Sequence, residues 1–213
     1  MAGDSASRGF EQKSMVVRPN DREVFHQPLY DRKNLSTSLT GDVAFFTNPI
    51  GSAETLVRYE TAASITKTKR DTNLPGNGQD ASKDYSVFGL SVAFIPAART
   101  VKDTATTDGI RRDKDNIREG GWLNFKIVDK NICDIPLILI PELNGESGAS
   151  STRYGVSIYA GPSFAAPMWS FGEPIQIPKA TNFSVVCKWD GTITLSQSFD
   201  MYVIFFAKVR RPT

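Results

Sequence analysis

At 213 residues the chain is long enough for one sizeable core, and folding would bury roughly 70% of the surface that the unfolded form exposes. Its 25 Lys and Arg against 23 Asp and Glu leave a formal charge of +2, and 40% of its residues are hydrophobic, which argues against both a disordered chain and a strong polyanion-attracting field. One histidine and two cysteines cannot furnish the three or four nitrogen and sulfur ligands of a zinc or histidine-rich centre, so no metal and no cofactor is expected.

Cys133 and Cys187 are expected as two buried free thiols in strands rather than as a bridge. Residues 1–17 contain no apolar signal core, and the runs ICDIPLILIP and MYVIFFA are interrupted or far short of the roughly 20 residues that a spanning helix needs. The expectation is a chain that is soluble as made.

Residues 1–40 are polar, with Arg18, Arg22, Arg32 and Lys33 set against Glu11, Asp21, Glu23 and Asp31, and no sustained period of 3.6 or 2.0 runs through them. Phe10, Val16, Val17, Val24, Phe25, Leu29 and Tyr30 are spaced as isolated anchors. Composition alone would equally suit a disordered tail, and the anchors tip the expectation to an extended N-terminal arm over 1–40 that orders on a neighbour, with the folded domain spanning 41–213.

Strand character begins at Val43-Ala44-Phe45-Phe46 and stops at the turn signal Asn48-Pro49-Ile50-Gly51. After a Thr-, Lys- and Arg-rich stretch, Asn73 to Gly78 forms a loop. Tyr85 to Ile95 then alternates, with Phe88, Leu90, Val92 and Phe94 on one side and Val87, Gly89, Ser91 and Ala93 on the other. Residues 101–120 form the single plausible helical stretch, limited by Gly109 to a short helix around 110–117 or a loop.

Leu123, Phe125 and Ile127 alternate with polar residues. Ile132 to Ile140 is a continuous apolar run containing Pro136, whose missing N–H places that strand at an edge or a bulge. Residues 142–155 form a long Gly/Ser loop. Val156 to Tyr159 is a strand candidate leading to Phe164, Trp169 and Phe171. Phe183, Val185, Cys187 and Trp189 share one strand face, and Asp190-Gly191 is a tight-turn signal. Tyr202, Ile204 and Phe206 stand opposite Val203, Phe205 and Val209. Some eight short strands with Pro- and Gly-rich connectors predict an all-β sandwich in one domain.

Chemistry is thinly represented. His26, the single histidine, lies in the polar arm, where a catalytic base would lack a rigid support; no nucleophile-elbow or phosphate-loop pattern occurs. A carboxylate pair drawn from Glu142, Glu146, Glu173, Asp190 and Asp200 would suit glycoside hydrolysis, and Tyr154, Tyr159 and Trp169 would suit stacking on sugar rings. Lys208, Arg210 and Arg211 form a basic cluster near the C-terminal end, read as gatekeepers of an edge strand or as a contact to packaged nucleic acid or lipid head groups.

Three stretches carry a resemblance. Phe45-Phe46-Thr47-Asn48-Pro49-Ile50-Gly51, Lys67 to Leu74 and Tyr85 to Leu90 are joined by Pro174 to Pro178, Asn182 to Val185, Trp189-Asp190-Gly191, Asp200 to Ile204 and Val209 to Pro212. Together these resemble jelly-roll capsid and capsid-associated proteins of small tailless bacteriophages. The resemblance implies a single eight-stranded jelly roll, two four-stranded sheets face to face, repeated in an icosahedral shell. It implies a virion location after synthesis in the host cytoplasm, and partners that are copies of itself and other capsid proteins. No catalytic site and no small-molecule substrate are implied. The length is short of a double jelly-roll coat protein, which leaves a coat, minor vertex, spike or decoration role open, beside a carbohydrate- or receptor-binding module.

Overall fold

The computed structural model describes residues 23–58, 61–74, 83–97, 104–128, 130–143 and 168–211. Alternation of large apolar and polar residues dictates its elements, which are β1 (Glu23–His26), β2 (Leu29–Leu35), β3 (Ser38–Thr40), β4 (Val43–Phe45), β5 (Ala53–Arg58), β6 (Thr61–Thr66), β7 (Asp84–Pro96), α1 (Thr104–Glu119), β8 (Gly121–Ile127), β9 (Lys130–Pro136), β10 (Trp169–Ile177), β11 (Phe183–Trp189), β12 (Thr192–Thr194) and β13 (Phe199–Arg211). A single turn of 3-10 helix at Leu137–Leu139 follows β9.

Two antiparallel sheets carry the fold. In the larger, β13 lies between β7 and the pair β1 and β2, which follow one another along its other side, and β10 pairs with the far side of β7. In the smaller the order is β4-β11-β8-β9. The sheets pack face to face: Phe125 of β8 meets Phe205 of β13 with ring centroids 4.9 Å apart, and Phe46 stacks on Phe205 at 5.8 Å. One continuous core runs between them, from Leu29, Val87, Leu90, Met201 and Val203 on one side to Leu123, Phe125, Val185 and Cys187 on the other. The chain is therefore an all-β sandwich, as the strand pattern predicts. The predicted faces of β11 and β13 are the observed ones: Val185, Cys187, Val203, Phe205 and Val209 are buried and their alternates less so.

The sequence expectations meet four differences. Residues 23–40, expected within an arm, form β1, β2 and β3, with β1 and β2 paired to β13 of the same chain; Leu29 and Leu35 reach the core, and residues 46–58 and 61–74 cover the charges between them. The expected alternation of β7 breaks at Phe88. Ala207 pairs with Val87 and Phe206 with Gly89, so Phe88 bulges out, and Val87 and Leu90 both turn inward. The helix runs over Thr104–Glu119 and so exceeds the expected 110–117 at both ends, and contacts remote in sequence anchor its C-terminal half. Ile117 is fully buried, its carbonyl accepts the Trp189 indole N–H at 3.0 Å, and Asp113 accepts the Ser196 N–H at 2.7 Å. Finally, β13 is an interior strand, so Lys208 and Arg210 do not guard an edge.

Pro136 does what its missing donor demands, since it ends β9 at the edge of the smaller sheet. Gly121 is required where it stands, because a Cβ there would lie 2.5 Å from the Trp189 Nε1 and 2.8 Å from the Ile117 carbonyl oxygen. The arm residues 1–22, Pro75 to Gly78, Glu146 and the rest of the Gly/Ser loop beyond Leu143, Tyr154, the strand candidate 156–159 and Phe164 lie outside the described residues.

Candidate functional site

A strand that is polar on both faces is unusual in a sandwich, and β2 is one. Leu29, Asp31, Lys33 and Leu35 share its inner face, while Tyr30, Arg32 and Asn34 share the outer face with Tyr202 and Asp200 of β13. Asp31, Arg32, Lys33, Lys67, Asp71 and Asp200 are all buried. Charges taken from water in this way must find one another, and they do so through residues 46–58 and 61–74, which supply partners on both faces of β2.

On the outer face, Arg32 donates from Nε to Asp200 Oδ2 at 2.7 Å, from Nη1 to Asp71 Oδ1 at 3.2 Å and from Nη2 to the Val57 carbonyl at 2.7 Å. Its guanidinium carbon lies 5.3 Å from the Tyr202 ring centroid. Asp200 also accepts from the Val57 N–H and from Asn34 Nδ2, both at 2.7 Å. Asp71 is held by Arg58 Nη2 at 2.7 Å and by the Thr68 N–H at 3.0 Å. The fork of the guanidinium thus ties β2, β13, β5 and the 68–71 turn to one point.

On the inner face, Lys67 Nζ lies 2.6 Å from Asp31 Oδ1, 3.4 Å from the Asn48 carbonyl and 3.7 Å from Glu54 Oε2. The Phe46 N–H donates to Asp31 Oδ2 at 2.7 Å, and Phe46 adopts a left-handed φ of 61° in doing so. Glu54 Oε2 accepts from Lys33 Nζ at 2.7 Å and Asn48 Nδ2 at 2.6 Å. Burial pushes the Asp31 and Asp200 carboxyls above the usual carboxylate range; Lys67 pulls the first back, and Asn34 and Arg32 the second.

The free edge of β2 is also covered. The Asn73 N–H donates to the Tyr30 carbonyl at 3.3 Å, the Tyr30 N–H to Asn73 Oδ1 at 3.0 Å, and Asp31 bridges to Thr72. The whole arrangement is a clasp: it holds residues 46–58 and 61–74 across an edge strand and satisfies that strand's exposed backbone. Its charges face one another rather than solvent.

The carboxylates singled out for hydrolysis stand on separate elements. Glu142 accepts from Lys114 Nζ at 2.8 Å, Glu173 is exposed on β10, Asp190 is exposed before Gly191, and Asp200 is committed to Arg32. Trp169 is half-buried and packs against the core. His26 is exposed on β1 and meets the Phe88 ring edge-on at 5.8 Å. Cys133 and Cys187 are free thiols on the strands either side of β8. Arg210, with Asp84, Ser86 and Gln176, lines a cavity of about 130 Å³, smaller than the roughly 300 Å³ at which small-molecule pockets begin.

Among the described residues, no group of three or more His, Cys, Asp and Glu is placed to hold a metal ion, and no helix is long and apolar enough to cross a membrane. Sequence reasoning assigned Asp31, Arg32 and Lys33 to the arm and missed the clasp. The available signal was their position between Leu29 and Leu35, which marks a strand whose charges need buried partners. Comparison with known proteins finds no matching family model, no matching curated protein and no matching solved structure.

Proposed function

We propose that the chain is a structural subunit of a virion shell, a jelly roll of the kind used by small tailless bacteriophages, which assembles with copies of itself and with other capsid proteins. The observation that carries this reading is strand order. Taken along the chain, β2, β4, β7, β8, β9, β10, β11 and β13 fall into sheets ordered β2-β13-β7-β10 and β4-β11-β8-β9, the interleaving that a roll of two Greek keys requires.

A fold fixes no function by itself, so surface and rigidity must add to it. Ile138, Leu139 and Leu143, close together in the chain, are 45%, 51% and 48% exposed, large apolar side chains of the kind that neighbouring copies bury. The clasp stiffens the edge beside it, as suits a building block that must meet many copies in one geometry. On this reading the work is mechanical and there is no external substrate.

The test is assembly. Purified full-length chain, followed by light scattering and negative-stain imaging as concentration rises, is expected to form discrete rings, capsomers or shells. The double substitution Ile138→Asp and Leu139→Asp is expected to weaken that assembly at least tenfold in concentration, which corresponds to about 1.4 kcal/mol per subunit added, with the melting temperature preserved. A chain that stays monomeric at every concentration rejects the reading.

A further inference from the structure

We propose that Lys67 and Asp31 condense to an intramolecular isopeptide bond, Nζ to Cγ, formed by the protein's own residues without an added enzyme. The proposal stands on the inner half of the clasp and does not depend on the capsid reading. Lys67 and Asp31 are both 0% exposed and 2.6 Å apart, and Glu54 Oε2 lies 3.7 Å from the same nitrogen. An amine, a carboxyl and a second carboxylate within reach of the amine are the parts this reaction needs, and water is excluded from the first two.

The starting pair is costly as ions. Taking a charge out of water is costly for each ion, and condensation converts two buried charges into one neutral amide and a departing water. Burial already favours the protonated Asp31 carboxyl, the form that an amine attacks. The contacts of Asp31 are arranged for that attack: Lys67 addresses Oδ1, while the Phe46 N–H points at Oδ2, where the oxyanion of a tetrahedral adduct would form. Phe46 holds its N–H there from a left-handed backbone conformation.

The atoms balance. Lys67 Nζ passes one proton to Asp31 Oδ1, giving a neutral amine and a neutral acid. The amine lone pair forms the Nζ–Cγ bond, and the carbonyl electron pair moves onto Oδ2 under the Phe46 N–H. Glu54 removes the second proton from Nζ and returns it to the Oδ1 hydroxyl. The Cγ–Oδ1 bond then breaks, water leaves, and the Oδ2 carbonyl re-forms. The third proton stays on the amide nitrogen, and no oxidant or reductant is required. Lys33 and Asn48, which donate to Glu54, keep it beside Nζ. The product would staple residue 67 to β2, making the inner half of the clasp permanent.

Intact mass of the full-length wild-type chain under denaturing conditions tests this directly. The expected mass is that of the sequence less one water, and protease mapping should join the peptides that contain Asp31 and Lys67 into one branched species that resists hydroxylamine. Lys67→Arg, which keeps the charge but cannot condense, should show its full sequence mass. Glu54→Gln should slow the condensation about a hundredfold, the usual scale for a lost proton carrier. A wild-type chain of full mass overturns the proposal. So does a water loss that hydroxylamine reverses or that maps to Asp190-Gly191, where an aspartyl succinimide would give the same mass.

Discussion

Arg32 on β2 and Asp200 on β13 face each other across adjacent strands, Nε to Oδ2 at 2.7 Å, although 168 positions separate them in the chain. Both side chains are buried, at 1% and 0% exposure. Removing one member leaves the other charged and stranded, so Arg32→Met is expected to destabilise the protein by about 3–5 kcal/mol, read as a fall in the urea midpoint. Adding Asp200→Leu should recover a large part of that loss, because the orphan charge goes with it. Two losses that simply sum would show that the pair is not the joint described here.

The pH dependence of the same carboxyl has a defined sign. Burial holds Asp200 above its ordinary 3.8, so the folded state binds that proton more tightly than the unfolded chain does. Its contribution is then fully present below the unfolded value and is lost as pH rises through the folded one. Asp200→Asn keeps the shape and cannot titrate. The stability of wild type relative to this variant should therefore decline as pH rises above about 4, measured by urea unfolding at each pH. A relative stability that grows over that range would mean that Arg32 and Asn34 prevail over burial.

Burial acts on the thiols in the same direction. Cys133 is pushed up to about 11, with Asp134 adding to the effect, and Cys187 is pushed further by complete burial. Thiolate is the reactive form, so the native protein at about pH 8 should react with a disulfide reagent at least a hundredfold more slowly than free cysteine, whose value is about 8.5. Cys133 should become reactive first as pH approaches 11, and Cys187 on unfolding. Rapid labelling of Cys187 in the folded protein would contradict its place in the core.

Val128 occupies the turn between β8 and β9 with a φ of 55° and is 62% exposed. A β-branched residue in the left-handed region is strained, and Asn is suited to such turn positions. Val128→Asn should raise stability by about 1 kcal/mol, detected as a higher melting temperature, with the core unchanged. A neutral or negative effect would locate a compensating contact at this tip.

Strand faces were the most legible part of the fold. Val185, Cys187 and Trp189 fall on one face of β11, and Val203, Phe205 and Val209 on one face of β13, and burial follows that period of two because each strand meets the core on one face. Pro136 announced an edge for an equally local reason. What escaped depends on partners far along the chain. Phe88 bulges because of how β7 registers against Phe206 and Ala207, and α1 is anchored at Ile117 and Asp113 by Trp189 and Ser196. The clasp was least legible, since Asp31 and Arg32 look like surface charges until Lys67, Asp71 and Asp200 are brought over them.

At the β2 edge of the large sheet, residues 72–73 take the place a further strand would occupy, and at the other edge β10 breaks its pairing with β7 between Ser170 and Ile175 and carries Pro174 in that gap. Crowding at high local density is therefore resisted at the β2 edge, which offers no flat row of donors and acceptors of the kind that seeds amyloid.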